Sequence, residues 1–192
     1  MLRRVAARDL DAFKILVDRY QNRVLGLCLR LLHNPQHAED VAQEVFFQVY
    51  QAAGKFRHDC LVSTWIYRII INRCRNFNRD NRKFRLLGEL RRGLKDERWS
   101  GLDSAPADRD DPAFARTVNE TRELIRRAVA LLPEKQKAVL ILHKFEGRSY
   151  KEIAEILGTS LFSVESCLHR AKLNLQKRLA PEFLATRQGR KL

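Results

Sequence analysis

"YKEIAEILGTSLFSVESCLHRA", residues 150–171, decides the fold. Apolar residues fall at Ile153, Leu157, Val164 and Leu168, with a small residue at Ala154 and a glycine at Gly158. The pattern predicts two short helices joined by a tight turn. Ala154 lets the helices cross closely, and Gly158 supplies the left-handed residue that ends the first. A purely structural helical hairpin is the plainer alternative, but it does not demand this combination. The second helix of such a unit enters the major groove of DNA. Capped by Ser160, it offers Ser163, Glu165, Ser166, His169 and Arg170 to base edges, with Lys172, Lys177 and Arg178 nearer phosphates. Glu165 stands out, a carboxylate where a DNA reader is expected to carry lysine or arginine.

The chain has the charge for such a partner. Its 192 residues include 37 Lys and Arg against 23 Asp and Glu, a formal charge of +14 and a pI near 10.2. That balance favours nucleic acid or an anionic surface. A basic surface kept for solubility would spread its charge, whereas here it is clustered. A hydrophobic fraction of 45% suffices for packed cores and excludes a disordered basic tail. Cys28, Cys60, Cys74 and Cys167 form no C-x-x-C pair, and three of them sit in apolar helical stripes. Reduced thiols in a cytosolic protein are expected. No apolar run approaches a membrane span and no signal peptide opens the chain, so a soluble intracellular protein without membrane insertion is expected. His33 and His37 flank Pro35 and His58 lies near Cys60; proline interrupts any helix that would align the pair, so they read as loop histidines and not as metal ligands. Without a P-loop, G-x-S-x-G or H-E-x-x-H motif, neither catalysis nor a cofactor is expected.

Helical periodicity organises the rest. Apolar residues recur from Phe13 through Leu16, Val17, Tyr20, Val24, Leu27, Cys28 and Leu31, stopping at Asn34-Pro35. A second helix is expected from about Gln36 to Ala53, with Val41, Ala42, Val45, Phe46 and Val49 inward. A third begins near Ser63, buried through Ile66, Ile69, Ile70, Cys74 and Phe77. Residues 1–85 therefore read as one helical domain. Residues 86–111 are rich in Gly, Ser, Pro and Asp and carry Asp103, Asp108, Asp110 and Asp111, which predicts a flexible acidic linker. Asp111-Pro112 looks like a cap and first helical position. From there helices are expected to Leu132-Pro133 and over Glu134 to Phe145. Ser149 and Glu152 would form a capping box before the helix-turn-helix. Residues 112–181 form the second domain and 182–192 a basic tail. The predicted fold class is all-α, two small helical domains joined by the linker.

Between Trp65 and Arg85 the third helix carries seven basic residues and one acidic one, interleaved with Trp65, Tyr67, Phe77 and Phe84. Cations tracking a backbone beside aromatic platforms suit a single strand of nucleic acid, with Asn72 and Asn76 able to bond exposed base edges. A solvated basic helix with core aromatics is the alternative.

Taken in order, "DLDAFKILVDRYQNRV" (9–24), "NPQHAEDVAQEVFFQVY" (34–50), "STWIYRIIINRCRN" (63–76) and "LPEKQKAVLILHKFEGRSYKEIAEILG" (132–158) resemble the extracytoplasmic-function (ECF) group of bacterial RNA polymerase sigma factors. The likeness covers nearly the whole chain. It implies that Asp40, Gln43, Glu44 and Phe47 dock on core RNA polymerase. It implies a minus-ten pocket from the loop "FRHDCLVS" (56–63), with Phe56 and Asp59, and from Trp65, Arg68, Asn72 and Arg75. Ser160, Ser163, Glu165, Ser166, His169, Arg170 and Lys172 would face the minus-thirty-five duplex. The acidic linker is similar to the family segment that threads the polymerase channel. Promoter DNA, both duplex and melted, and an anti-sigma factor are the further partners implied, in the bacterial cytoplasm. The chain departs from the family at "FSVESC", where many members read "GTV", a basic residue, Ser and Arg. Two other classes compete. A stand-alone helix-turn-helix regulator has no use for a strand-capturing helix, and an RNA-binding structural protein leaves the helix-turn-helix unexplained.

Overall fold

Asp9 sets the start of the first long helix. Its carboxylate accepts the Ala12 backbone N–H at 2.9 Å, which satisfies one of the free amides of the opening turn. The computed structural model describes residues 1–89 and 112–188, and among these all regular structure is helical. A short helix α1 (Leu2–Ala6) precedes α2 (Leu10–Leu32). Periodicity shows neither α1, too short to display a period, nor the first turn of α2, where Leu10 lies off the stripe and is exposed. His33 ends α2 in the left-handed conformation (φ 59°), and its N–H donates to the Leu29 carbonyl at 2.9 Å. Asn34 at once caps α3 (Pro35–Ala52), accepting the His37 N–H at 2.9 Å, with Pro35 at the first helical position. His37 is thus helical, not a loop residue as expected, and its ring lies 4.8 Å from that of Phe77. A 3₁₀ turn (Ala53–Lys55) leads to α4 (Val62–Glu89).

The described residues fall into two compact units, 1–89 with 151–159 and 112–150 with 160–188. In the first, α2, α3 and α4 pack against one another over Leu16, Leu27, Cys28, Val41, Val45, Ile66, Ile70 and Cys74, all buried. Each large aliphatic side chain removed from water there contributes about 1.5–3 kcal/mol. Val17, Phe46 and Phe77, expected on buried stripes, are only half-buried. Cys28 and Cys74 face each other with sulfurs 3.8 Å apart. The bond to Cys28, and then burial, push the Cys74 thiol well above its ordinary range, so it stays protonated at neutral pH and packs as a small hydrophobe.

The second half of the chain runs through α5 (Pro112–Ala130), α6 (Glu134–Lys144), α7 (Tyr150–Leu157) and α8 (Leu161–Gln188). Both α5 and α6 pack on α8, and Asn174 of α8 donates to Gln136 of α6 at 2.8 Å. Two expectations meet the edge of what is described. The linker's first residues, 86–89, continue α4, while 90–111, with the Asp111 cap and the acidic stretch, lie outside the described residues. The basic tail from 182 continues α8 through Pro181 as far as Gln188. No described helix is long and apolar enough to cross a membrane.

Candidate nucleic-acid interface

The turn between α7 and α8 has the geometry its sequence predicts. Gly158 adopts φ 60°, its N–H donates to the Glu155 carbonyl at 3.3 Å, and the Thr159 N–H donates to the Ala154 carbonyl at 3.0 Å. This pair of bonds closes a helix with a left-handed glycine. Ser160 then caps α8, its Oγ accepting the Ser163 N–H at 3.2 Å. Ile153 and Ile156 are buried on α7, as are Val164, Leu168 and Ala171 on α8. Because helical neighbours recur at three and four residues, burying Val164, Leu168 and Ala171 turns Phe162, Glu165, Ser166 and His169 outward. Glu165, His169, Arg170 and Lys172 are exposed, and Ser163 and Ser166 are half-buried. The outward face of α8 thus gathers the residues expected at the duplex. It also holds one that the sequence reading passed over, Phe162, at 78% exposure. Its position three residues before Glu165 was the available signal.

On α4, Trp65, Arg68, Asn72 and Arg75 recur at helical spacing opposite the buried Ile66, Ile69, Ile70 and Cys74. Trp65 and Arg68 are half-buried, Asn72 and Arg75 exposed. Arg75 Nη2 donates to Asn72 Oδ1 at 3.2 Å, which orients the amide and leaves its nitrogen as the donor for a ligand. Phe56 is buried, its ring 5.2 Å from Trp65 and 4.7 Å from His58. It supports the Trp65 ring from beneath, while Asp59 stands exposed in the same loop. His58 takes φ 59°, a left-handed turn that folds the loop over Phe56. Cys60, half-buried there, has its thiol pushed up chiefly by burial. The aromatic platform is narrower than expected. Tyr67 is buried and Phe77, half-buried, packs on His37, so Trp65, itself half-buried, is the described ring at helical spacing with Arg68 and Asn72; the Phe84 side chain lies outside the described residues.

A third surface lies on α3. Asp40, Gln43, Glu44 and Phe47 share one face, all exposed, with Phe47 at 62%. Across from it α3 buries Ala38, Val41, Ala42, Val45 and Val49. Arg73 of α4 reaches this edge, with Nη1 3.5 Å from Glu44 Oε2 and Nε donating to Gln48 Oε1 at 2.6 Å. The sequence reading did not anticipate this tie, since nothing in the spacing sets the register of α4 against α3. Among the described residues no group of three or more His, Cys, Asp or Glu could hold a metal ion.

Comparison with known proteins gives these surfaces a frame. The family model of sigma-70 region 2 matches residues 16–84, and that of sigma-70 region 4 matches residues 122–175. The RNA polymerase sigma-H factor of Pseudomonas aeruginosa is 35% identical over 187 residues, covering 94% of this chain and 93% of that one. The ECF RNA polymerase sigma-E factor of Haemophilus influenzae is 30% identical over 187 residues, covering 94% of each. Among solved structures, the sigma factor RpoE of Bartonella quintana, in complex with the anti-sigma factor NepR, superposes with a TM-score of 0.67 at 20% identity. The match covers 88% of this chain and 97% of that one. It shares the fold.

Proposed function

From the premise that the chain belongs to the sigma-70 family of RNA polymerase sigma factors, in its ECF group, we propose a division of labour among its surfaces. The chain is a transcription initiation factor that directs core RNA polymerase to promoters and promotes strand opening. Residues 1–85 dock on polymerase and hold the minus-ten element, and residues 112–181 read the minus-thirty-five duplex. Residues 86–111 bridge them through an acidic segment, and 182–192 add a basic end. It works in the bacterial cytoplasm, performs no catalysis of its own and is held in check by an anti-sigma partner.

Within the first domain, Asp40, Gln43, Glu44 and Phe47 meet the polymerase, with Phe47 as the apolar centre of a polar ring. Trp65, Arg68, Asn72 and Arg75, with Asp59 in the loop and Phe56 supporting it, capture a base leaving the duplex. Unstacking a base costs a few kcal/mol, which stacking and base-edge contacts must offset. In the second domain Ser160 fixes the start of α8, and Ser163, Glu165, Ser166, His169, Arg170 and Lys172 face the groove.

The observation that carries this reading is the exposed α3 face around Phe47, for which a stand-alone duplex regulator has no use. Co-purification with core polymerase and start-site-specific transcription test it. Phe47→Ala should weaken the core complex at least tenfold while leaving helix content unchanged, since a central interface aromatic contributes about 2 kcal/mol or more. Wild-type protein that binds promoter duplex tightly alone and ignores core polymerase would return the regulator reading.

A further inference from the structure

Phe162 is among the most exposed large hydrophobic side chains described, at 78%, and Leu173 on the same helix is exposed at 43%. Phe162, Ser166, His169 and Leu173 fall at intervals of four, three and four residues along α8, so they form one outward row opposite Val164, Leu168 and Ala171. This row runs through the residues assigned above to the groove, with Arg170 and Lys172 beside it. On a face that meets DNA, an exposed apolar ring gains by burial against an apolar group. In the major groove each base pair presents donors and acceptors, and thymine alone of the four bases adds a methyl group there. Phenylalanine has nothing to offer a donor or an acceptor; it can bury that methyl.

Resting on the minus-thirty-five reading of α8, we infer that Phe162 is a specificity-determining residue that selects a thymine by its C5-methyl in the promoter duplex. It complements Glu165, which stands three residues on, beside that row, and can accept a hydrogen bond from the N4 amine of cytosine. The departure "FSVESC" thereby becomes a reading head of changed chemistry, apolar and acidic, and affinity is left to the flanking cations and to polymerase.

The test separates the methyl from everything else in the base. Holoenzyme reconstituted on core polymerase selects from a library with a randomised upstream duplex, and each thymine of the selected site is then replaced singly by deoxyuridine. At one position wild-type holoenzyme should lose affinity roughly fourfold, the value of one buried methyl. Phe162→Ala should not distinguish thymine from uracil there, and Phe162→Leu should keep part of the discrimination. The ring is exposed, so both variants should match wild type in helix content and melting. The inference is overturned if no position responds to deoxyuridine, or if Phe162→Ala responds as wild type does. Loss of core binding by Phe162→Ala with thymine discrimination intact would overturn it too, by placing the ring against protein. In each of those cases wild-type holoenzyme still initiates at defined start sites. Absence of start-site-specific initiation by wild type would instead remove the minus-thirty-five reading, and this inference with it.

Discussion

Asn72 and Glu165 are both exposed polar residues on the faces proposed to meet DNA, yet they are prepared differently. Asn72 is oriented by Arg75, so its amide nitrogen already points a donor outward before any strand arrives. If it bonds a base edge, Asn72→Ala should lower open-complex formation by roughly 1–3 kcal/mol and leave polymerase docking unchanged. Permanganate footprinting measures this, and undiminished strand opening would remove Asn72 from the pocket. Among the described residues Glu165 makes no hydrogen bond or ion pair on the face of α8, and near the helix start a carboxylate contributes about 0.3–1 kcal/mol through the macrodipole. That alone could account for it, so the variants must part stability from reading. Glu165→Gln and Glu165→Lys should each shift preference at one minus-thirty-five position, with Lys also raising non-specific binding and its salt dependence. The same consensus recovered by all three proteins from a promoter library would reduce Glu165 to a helix-start acid.

At the scale of elements, the ends of helices matter more than their middles. Asp9 caps α2 and also meets Arg4 at 2.7 Å, tying α1 to the start of α2, while the Arg8 guanidinium lies 4.7 Å from the centre of the Tyr50 ring. The Ala12 N–H first, then the Arg4 guanidinium, hold the Asp9 carboxyl below the ordinary aspartate range. A lowered folded-state pKa contributes stability that is present above the unfolded value and lost as pH falls through the folded one. Asparagine keeps the cap but has no charge. The melting difference between wild type and Asp9→Asn should therefore favour wild type at neutral pH and shrink towards zero in acid. A difference independent of pH would show that the charge at Asp9 contributes nothing. The long helices were legible because Leu16, Val24 and Leu27, or Ile66, Ile70 and Cys74, repeat a period. Their ends were legible where chemistry marks them, as at Asn34-Pro35, Gly158 and Ser160. Leu2–Ala6 was not legible, since one turn cannot show a period. Nor was the burial of Tyr67, because an aromatic on a basic helix reads the same whether its ring faces core or solvent, or that of Phe56, whose loop shows no period. The position of Arg73 against Glu44 depends on helix register, which packing sets and spacing does not.

For the whole molecule the question is where affinity resides. A formal charge of +14 suggests a protein that binds DNA unaided. Yet its cations are spread over more than one surface, Arg68 and Arg75 on α4 and Arg170 and Lys172 on α8, and the start of the exposed face of α8 carries Phe162 and Glu165 instead of lysine or arginine. Each phosphate contact adds about 0.9 to the salt slope of binding to duplex DNA, so few contacts mean both weak affinity and a shallow slope. The isolated protein should therefore bind promoter duplex weakly and with little preference for sequence. Holoenzyme should bind it tightly and specifically: if the α3 face docks on polymerase as proposed, polymerase bound at the promoter makes the α8 contact an intramolecular one. Gel shifts of both species across a salt series, on promoter and scrambled duplex, measure affinity, slope and preference together. If the free protein equals holoenzyme in preference for the promoter, recognition belongs to α8 alone, and the docking face on α3 adds recruitment without contributing to selectivity.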